Sequence, residues 1–178
     1  ALSMAAHLGD QSAEARSMFV KANVESWRDD YVAATDQYSQ ALVLFSKLRD
    51  VKEEAHCIAK LGTTSRFLGD YSAARELQLK AINLSLRVGD QLRCADSLHE
   101  LGIVEFAEGK FSAANELFVR SLIIRRQLGD RSGESEDLGR LGDVKRLQGN
   151  QEAAKQFYAE MLSITRSVGE RRNEADAL

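Results

Sequence analysis

The sequence predicts an all-α fold built as a stack of helix pairs. Two observations carry this. The 178 residues include 12 glycines and no proline, and proline is the residue that both lacks the N–H and clashes inside a helix. A 40-residue pattern also runs the length of the chain. "LGD" ends at Asp10, "LRD" at Asp50, "VGD" at Asp90, "LGD" at Asp130 and "VGE" at Glu170, forty residues apart each time. Aromatic residues make up only 7%, few for strands that favour β-branched and aromatic side chains.

Taken in order, residues 1–10 read as the tail of a second helix, with Ala1-Leu2 in an Ala-Leu column. Four full repeats follow at 11–50, 51–90, 91–130 and 131–170. Each is a helix, a tight turn, a second helix and another tight turn. The mid-repeat turns are Asp29-Asp30, Gly69-Asp70, Gly109-Lys110 and Gly149-Asn150. Glycine there supplies the left-handed residue that ends a helix, and Asp or Asn caps the next. The first repeat departs, with Asp29 and Arg49 where the others have glycine. Residues 171–178 read as the start of another first helix, with Leu178 in the column of Leu138. Both ends stop inside a repeat. That reads as a piece of a longer array whose uncapped ends would allow head-to-tail self-association.

The columns of this alignment carry the packing. Ala34, Ala74, Ala114 and Ala154 share one column, Ala33, Ala73, Ala113 and Ala153 the next, and Ala22, Gly62, Gly102 and Gly142 a third. Small residues at fixed places let helix backbones approach closely. Large apolar columns serve as knobs for those holes: Met18, Ile58, Leu98 and Leu138; Leu61, Leu101 and Leu141; Leu42, Ile82, Leu122 and Leu162. One helix pair cannot bury this surface alone, whereas stacked neighbours can.

Composition limits the function classes. The formal net charge is −3. Residues 1–90 are net −1 and residues 91–178 net −2, so neither half has the basic footprint of a dedicated nucleic-acid domain. Two cysteines, Cys57 and Cys94, cannot staple a disulfide-rich fold and fit a reducing, cytoplasmic setting. No apolar run approaches the roughly 18 residues of a membrane span, and no secretory signal is visible.

The strings "LGTTSRFLGDYSAARELQLKAINL" (61–84) and "LGIVEFAEGKFSAANELFVRSLII" (101–124) resemble tetratricopeptide repeats. Ile58, Leu61-Gly62, Gly69-Asp70-Tyr71, Ala74 and Ala81-Ile82 follow the family pattern in order, as do Leu98, Leu101-Gly102, Gly109, Phe111, Ala114, Phe118 and Leu122. The period is six residues longer than the common form, and no proline follows the second helix. Ser46, Leu86, Arg126 and Arg166 stand near that place. The resemblance is therefore to the long variant seen in spindle-orientation adaptors, kinesin light chains and the sensor arms of signal-transducing ATPases. It implies a right-handed superhelical α-solenoid of antiparallel helix pairs, whose first helices line a concave groove.

Carried over residue by residue, that groove would take Phe19, Asn23 and Ser26 from the first repeat, and His56, Thr63 and Arg66 from the second. The third would give His99, Ile103 and Phe106, and the fourth Asp143 and Arg146. The row Asn23, Thr63, Ile103, Asp143 varies while neighbouring columns repeat, which leaves it open to reading a ligand. Phe106 and Ile103 are the expected apolar anchors. The carboxylate clamp of chaperone-binding relatives is incomplete, since Phe19, Ala59 and Thr63 stand where Lys or Asn is needed. The asparagine row of the spindle adaptors is broken after Asn23.

No constellation of catalytic residues appears. "HELGI" at 99–103 begins like a zinc-protease helix but has Ile103 where the second His must be. "GDRSGESED" at 129–137 has glycines but lacks the phosphate-loop lysine. His56, Cys57, Cys94 and His99 match no metal-ligand spacing, so no metal and no cofactor is expected. Arg125, Arg126, Arg131, Arg140, Lys145 and Arg146 are interleaved with Glu134, Glu136, Asp137 and Asp143, which reads as solvated ion pairs. The expectation is a non-catalytic scaffold that binds a peptide or helix of a protein partner, with no nucleic acid and no membrane. The alternative is a sensor or regulatory arm of a larger signal-transducing ATPase or transcription regulator.

Overall fold

The structure is a computed structural model that describes residues 2–176, with side chains at 10–167. Among these residues there are eight helices and no strand. They are α1 (Leu2–Trp27), α2 (Tyr31–Leu48), α3 (Val51–Phe67), α4 (Tyr71–Val88), α5 (Gln91–Ala107), α6 (Phe111–Leu128), α7 (Arg131–Leu147) and α8 (Gln151–Asp176). Tight turns join them into antiparallel pairs, an α-solenoid of helix pairs. The chain divides into two compact units, Ala1–Ser97 and Leu98–Leu178, with the division inside α5.

The turns work as their sequence suggests. Asp30, Asp50, Asp70, Asp90, Asp130 and Asn150 each accept a hydrogen bond from the backbone N–H three residues on, at 2.9–3.2 Å. Lys110 stands at the one such turn without a side-chain cap and reaches Glu108 at 2.9 Å instead. Asp29 and Arg49 adopt φ of 61° and 57°, the left-handed conformation that glycine takes in the other repeats. There the first repeat bears the steric cost of a Cβ in αL.

Two expected turns are absent. α1 runs straight through Gly9-Asp10, and α8 through Gly169-Glu170. Extending the existing helix adds one hydrogen bond per residue, so continuation wins over reversal. The columns expected for Ala1-Leu2 and Leu178 lie outside the described side chains.

The small-residue columns are holes, as expected, but a different column fills them. A Cβ on Gly62 would lie 2.7 Å from Gln78, and one on Gly102 would lie 2.6 Å from the Phe118 ring. Gly142 lies in the same way against Tyr158. Sixteen residues on from Ala22 is Tyr38, and both are in the first unit's core with Ala15, Phe19, Ala34, Ala41, Phe45, Cys57 and Leu61. So the residue that docks on each first helix comes from the middle of its own second helix. Leucines pack around that contact: in the second unit Leu122, Leu138 and Leu141 join Phe118, Ala114, Val144 and Ile164.

Candidate functional site

In the first unit the turn-to-helix geometry orders the candidate residues tightly. Phe19 is only 9% exposed. Its ring meets Tyr38 edge-on at 5.3 Å and His56 at 4.4 Å. It is therefore a core residue, not an anchor offered to a ligand. Bulk at that position turns inward because the facing first helix supplies an aromatic neighbour. Asn23 accepts a 2.6 Å hydrogen bond from the Tyr38 hydroxyl. Thr63 donates to the Ala59 carbonyl at 3.2 Å and lies 3.4 Å from the Gln78 amide. Ser26 is partly buried near the end of α1.

Arg66 is partly exposed beside the exposed Phe67. The Arg66 guanidinium lies 4.1 Å from the Phe67 ring centre. Tyr31 stacks on Phe67 at 4.5 Å, nearly parallel, and donates its hydroxyl to Asp29 at 2.7 Å. Phe67 and Trp27, both exposed, hold the same column one repeat apart. Sequence reading missed this stack, although that shared column was its signal.

His56 is held neutral. Burial, helped by the charges of Arg93 and Lys60 and opposed by Asp90, lowers its pKa to about 3. An unfolded chain takes up that proton below about pH 6.5, whereas the folded one does not until far lower. Stability is therefore complete above pH 6.5 and falls as the pH drops from 6.5 toward 3, by roughly 1.4 kcal/mol per pH unit from this group. Thermal melts should show a shallower acid slope for His56→Gln than for the wild type; equal slopes would contradict this account. The neighbouring Cys57 thiol is pushed up to about 12, by burial first and then by Glu53 and Glu54, which makes it inert.

In the second unit Ile103 and Phe106 are partly buried against the core that holds Phe118, and Phe106 meets Phe111 edge-on at 5.5 Å. Asp143 accepts from the Tyr158 hydroxyl at 2.8 Å and lies 3.8 Å from the exposed Arg146. His99, by contrast, is buried and its Nδ1 is 2.6 Å from Asp137 Oδ1. Asp137 is fully buried, and its other oxygen faces Arg125 Nε at 3.4 Å. Arg125 Nε also donates to Ser121 at 3.2 Å. Its guanidinium passes over Gly133, where any Cβ would collide with it. Glu134 is buried too and takes Arg126 at 2.8 Å and Arg131 at 2.7 Å. The reading of this stretch as solvated ion pairs is thus corrected for Arg125, Glu134 and Asp137. Their charges point into the α6–α7 contact because Asp137 shares its α7 face with the buried Leu141 one turn on and with Gly133 and Glu134 one turn back.

The varied row has an internal cause. Asn23 meets Tyr38, Thr63 meets Gln78, and Asp143 meets Tyr158, always fifteen residues on. Where the partner is Phe118, the row holds Ile103, which packs against the same core. Polar faces polar and apolar faces apolar, so this row is set by its own repeat and not left free. The next row, Ser26, Arg66, Phe106 and Arg146, has no such match. Among the described residues no three His, Cys, Asp or Glu side chains gather to hold a metal ion. No described helix is long and apolar enough to cross a membrane.

The family described as Tetratricopeptide repeat matches residues 54–127 and 93–167, and the chain belongs to it. No curated protein matches the chain in sequence. Among solved structures it is similar to BtubC (BKLC) from P. vanneervenii, with TM-score 0.78 and 18% identity over 87% of this chain and 64% of that one. It is similar to aspartyl phosphate phosphatase F from Bacillus subtilis, with TM-score 0.84 and 12% identity over 89% and 42%. It is also similar to the Rap conjugation gene regulator of plasmid pLS20 in complex with the Phr peptide, with TM-score 0.81 and 17% identity over 93% and 45%. The chain therefore spans less than two thirds of each of these structures.

Proposed function

We propose that the protein is a non-catalytic interaction scaffold in the cytoplasm, binding a peptide or helix of a protein partner along its first helices. The partner is neither nucleic acid nor membrane. The observation that carries this is made in each unit separately, on Arg66 of the first and Phe106 of the second, which share a sequence column. Both side chains stay partly exposed while a neighbouring ring fixes them, Phe67 for one and Phe111 for the other. Held groups lose little freedom on binding, so the protein side of the ordering cost is small. Arg66 and Arg146 supply charge and Phe106 the apolar contact. The similar pLS20 regulator, whose structure holds a peptide, supports the reading.

A second reading, a regulatory arm within a longer protein, draws on the similar structures being longer than this chain. The test for the scaffold is affinity capture with mass spectrometry, comparing wild type with Arg66→Glu/Phe106→Ala. A partner retained by the wild type and lost by the variant, at unchanged helicity, supports the row. Equal capture by both removes it from the binding face.

A further inference from the structure

Four columns meet where a second helix packs between its own first helix and the next one. In the first repeat they hold Phe19, Tyr38, Phe45 and, on the following helix, Cys57, all in one core. In the third they hold His99, Phe118, Arg125 and, on the following helix, Asp137. There the His99 and Phe118 rings are 5.6 Å apart, and Asp137 reaches His99 at 2.6 Å and Arg125 at 3.4 Å. In the second repeat the same columns hold Ala59, Gln78, Ser85 and, on the following helix, Ser97, all within the first unit. A methyl and a hydroxymethyl thus stand where the first repeat buries two phenyl rings and the third an imidazole and a guanidinium. The adjoining column keeps its bulk, with Leu42, Ile82 and Leu122, so the helices are held apart as they are elsewhere.

The space this leaves is lined by polar groups short of partners. Gln78 and Ser97 are each 1% exposed, and neither Gln78 Oε1 nor Ser97 Oγ has a hydrogen-bond partner in the protein. Ser85, equally buried, adds a third polar side chain. The Gln78 amide cannot turn to improve this. Its Nε2 donates to the Ala59 carbonyl at 3.0 Å, and a flip would set oxygen against oxygen. Ser97 would donate to Gln78 Oε1 if the two met. Both lack a partner, so they stand farther apart than a direct bond. Leaving such atoms buried and unbonded costs more than immobilising a water beside them. An apolar cavity stays dry, whereas one with several convergent polar groups takes up water.

We propose that the second repeat holds an internal water in place of the side chains it lacks, between Ala59, Gln78, Ser85 and Ser97. The water donates a hydrogen to Gln78 Oε1 and bonds Ser97 Oγ, with Ser85 closing the site. Three successive repeats then fill the same place with rings, with water and with ions.

Water-oxygen magnetic relaxation dispersion, which counts waters held longer than the protein takes to tumble, tests this. Two variants remove the site by opposite routes. Ala59→Phe/Gln78→Tyr/Ser85→Phe/Ser97→Cys copies the first repeat and fills the space. Gln78→Leu/Ser97→Ala keeps the space and takes away both orphaned atoms, and it carries the test if the fourfold variant does not fold. Each folded variant should hold at least one long-lived water fewer than the wild type, at unchanged helicity. A crystal structure of the wild type should place that water about 3 Å from both Gln78 Oε1 and Ser97 Oγ. An equal count in either folded variant overturns the proposal. So does a crystal structure in which those two atoms bond each other or another protein group.

Discussion

Asp137→Ala is expected to destabilise the protein by about 3–5 kcal/mol in urea titrations followed by far-UV circular dichroism. The cost comes from what stays behind. Arg125 would keep its charge in the α6–α7 contact after losing the fully buried carboxylate 3.4 Å from it. His99 would lose its 2.6 Å partner at the same time. Asp130 at 3.5 Å and Glu136 at 3.6 Å lie toward solvent and compensate poorly. The repeat itself supplies the contrasting experiment. In the columns of His99, Arg125 and Asp137, two repeats earlier, stand Phe19, Phe45 and Cys57, all in the first unit's core. Transplanting that trio as His99→Phe/Arg125→Phe/Asp137→Cys removes the His99, Arg125 and Asp137 side chains of this cluster together. A buried ion cluster replaced whole by apolar groups is commonly neutral or stabilising. The triple variant should therefore be at least as stable as the wild type, while the single variant is crippled. A harmless single substitution would mean the cluster is already open to water.

Phe118→Ala should cost about 3–5 kcal/mol, the usual range for emptying a fully buried aromatic site. The more telling measurement is the sign of Gly102→Ala in two backgrounds. In the wild type the new methyl would lie 2.6 Å from the Phe118 ring, which has no room to retreat. Overpacking of that kind costs about 1–3 kcal/mol. In Phe118→Ala the obstruction is gone, and glycine to alanine within a helix gains about 1 kcal/mol. The same substitution should destabilise one protein and stabilise the other. Gly139→Ala is the control, since it meets only the flexible Met161 sulfur at 3.1 Å. A cycle without this change of sign would show that Phe118 does not fill the Gly102 hole.

The repeat and its turns are legible in the sequence because the caps and left-handed positions are chemically narrow. Asp or Asn before a helix and glycine after one recur at a fixed spacing, and tertiary context seldom changes their meaning. The knobs were not legible. Tyr38, Gln78, Phe118 and Tyr158 share a column but little chemistry, so the leucines stood out instead. The groove assignment suffered in a related way. Family spacing puts Phe19 and His99 on the binding face, yet each is a large group where other repeats have Ala59 and Gly139. Such groups settle inward on whatever the neighbouring helix presents, an aromatic cluster for Phe19 and a carboxylate for His99. At Gly9 and Gly169 the helix runs on through the same punctuation that ends it elsewhere.

The fifteen-residue matching has a consequence for heredity and for engineering. Asn23 cannot change singly without stranding the buried Tyr38 hydroxyl that leans on it, and Thr63 and Asp143 are matched in the same way to Gln78 and Tyr158. Drift at these codons should therefore arrive in compensated pairs, and a family tree of such chains would record the two positions moving together. The same holds at the bench. A library that diversifies only the first helices would discard most members as unstable before binding is ever sampled. One that randomises each residue jointly with its partner fifteen places on would keep them.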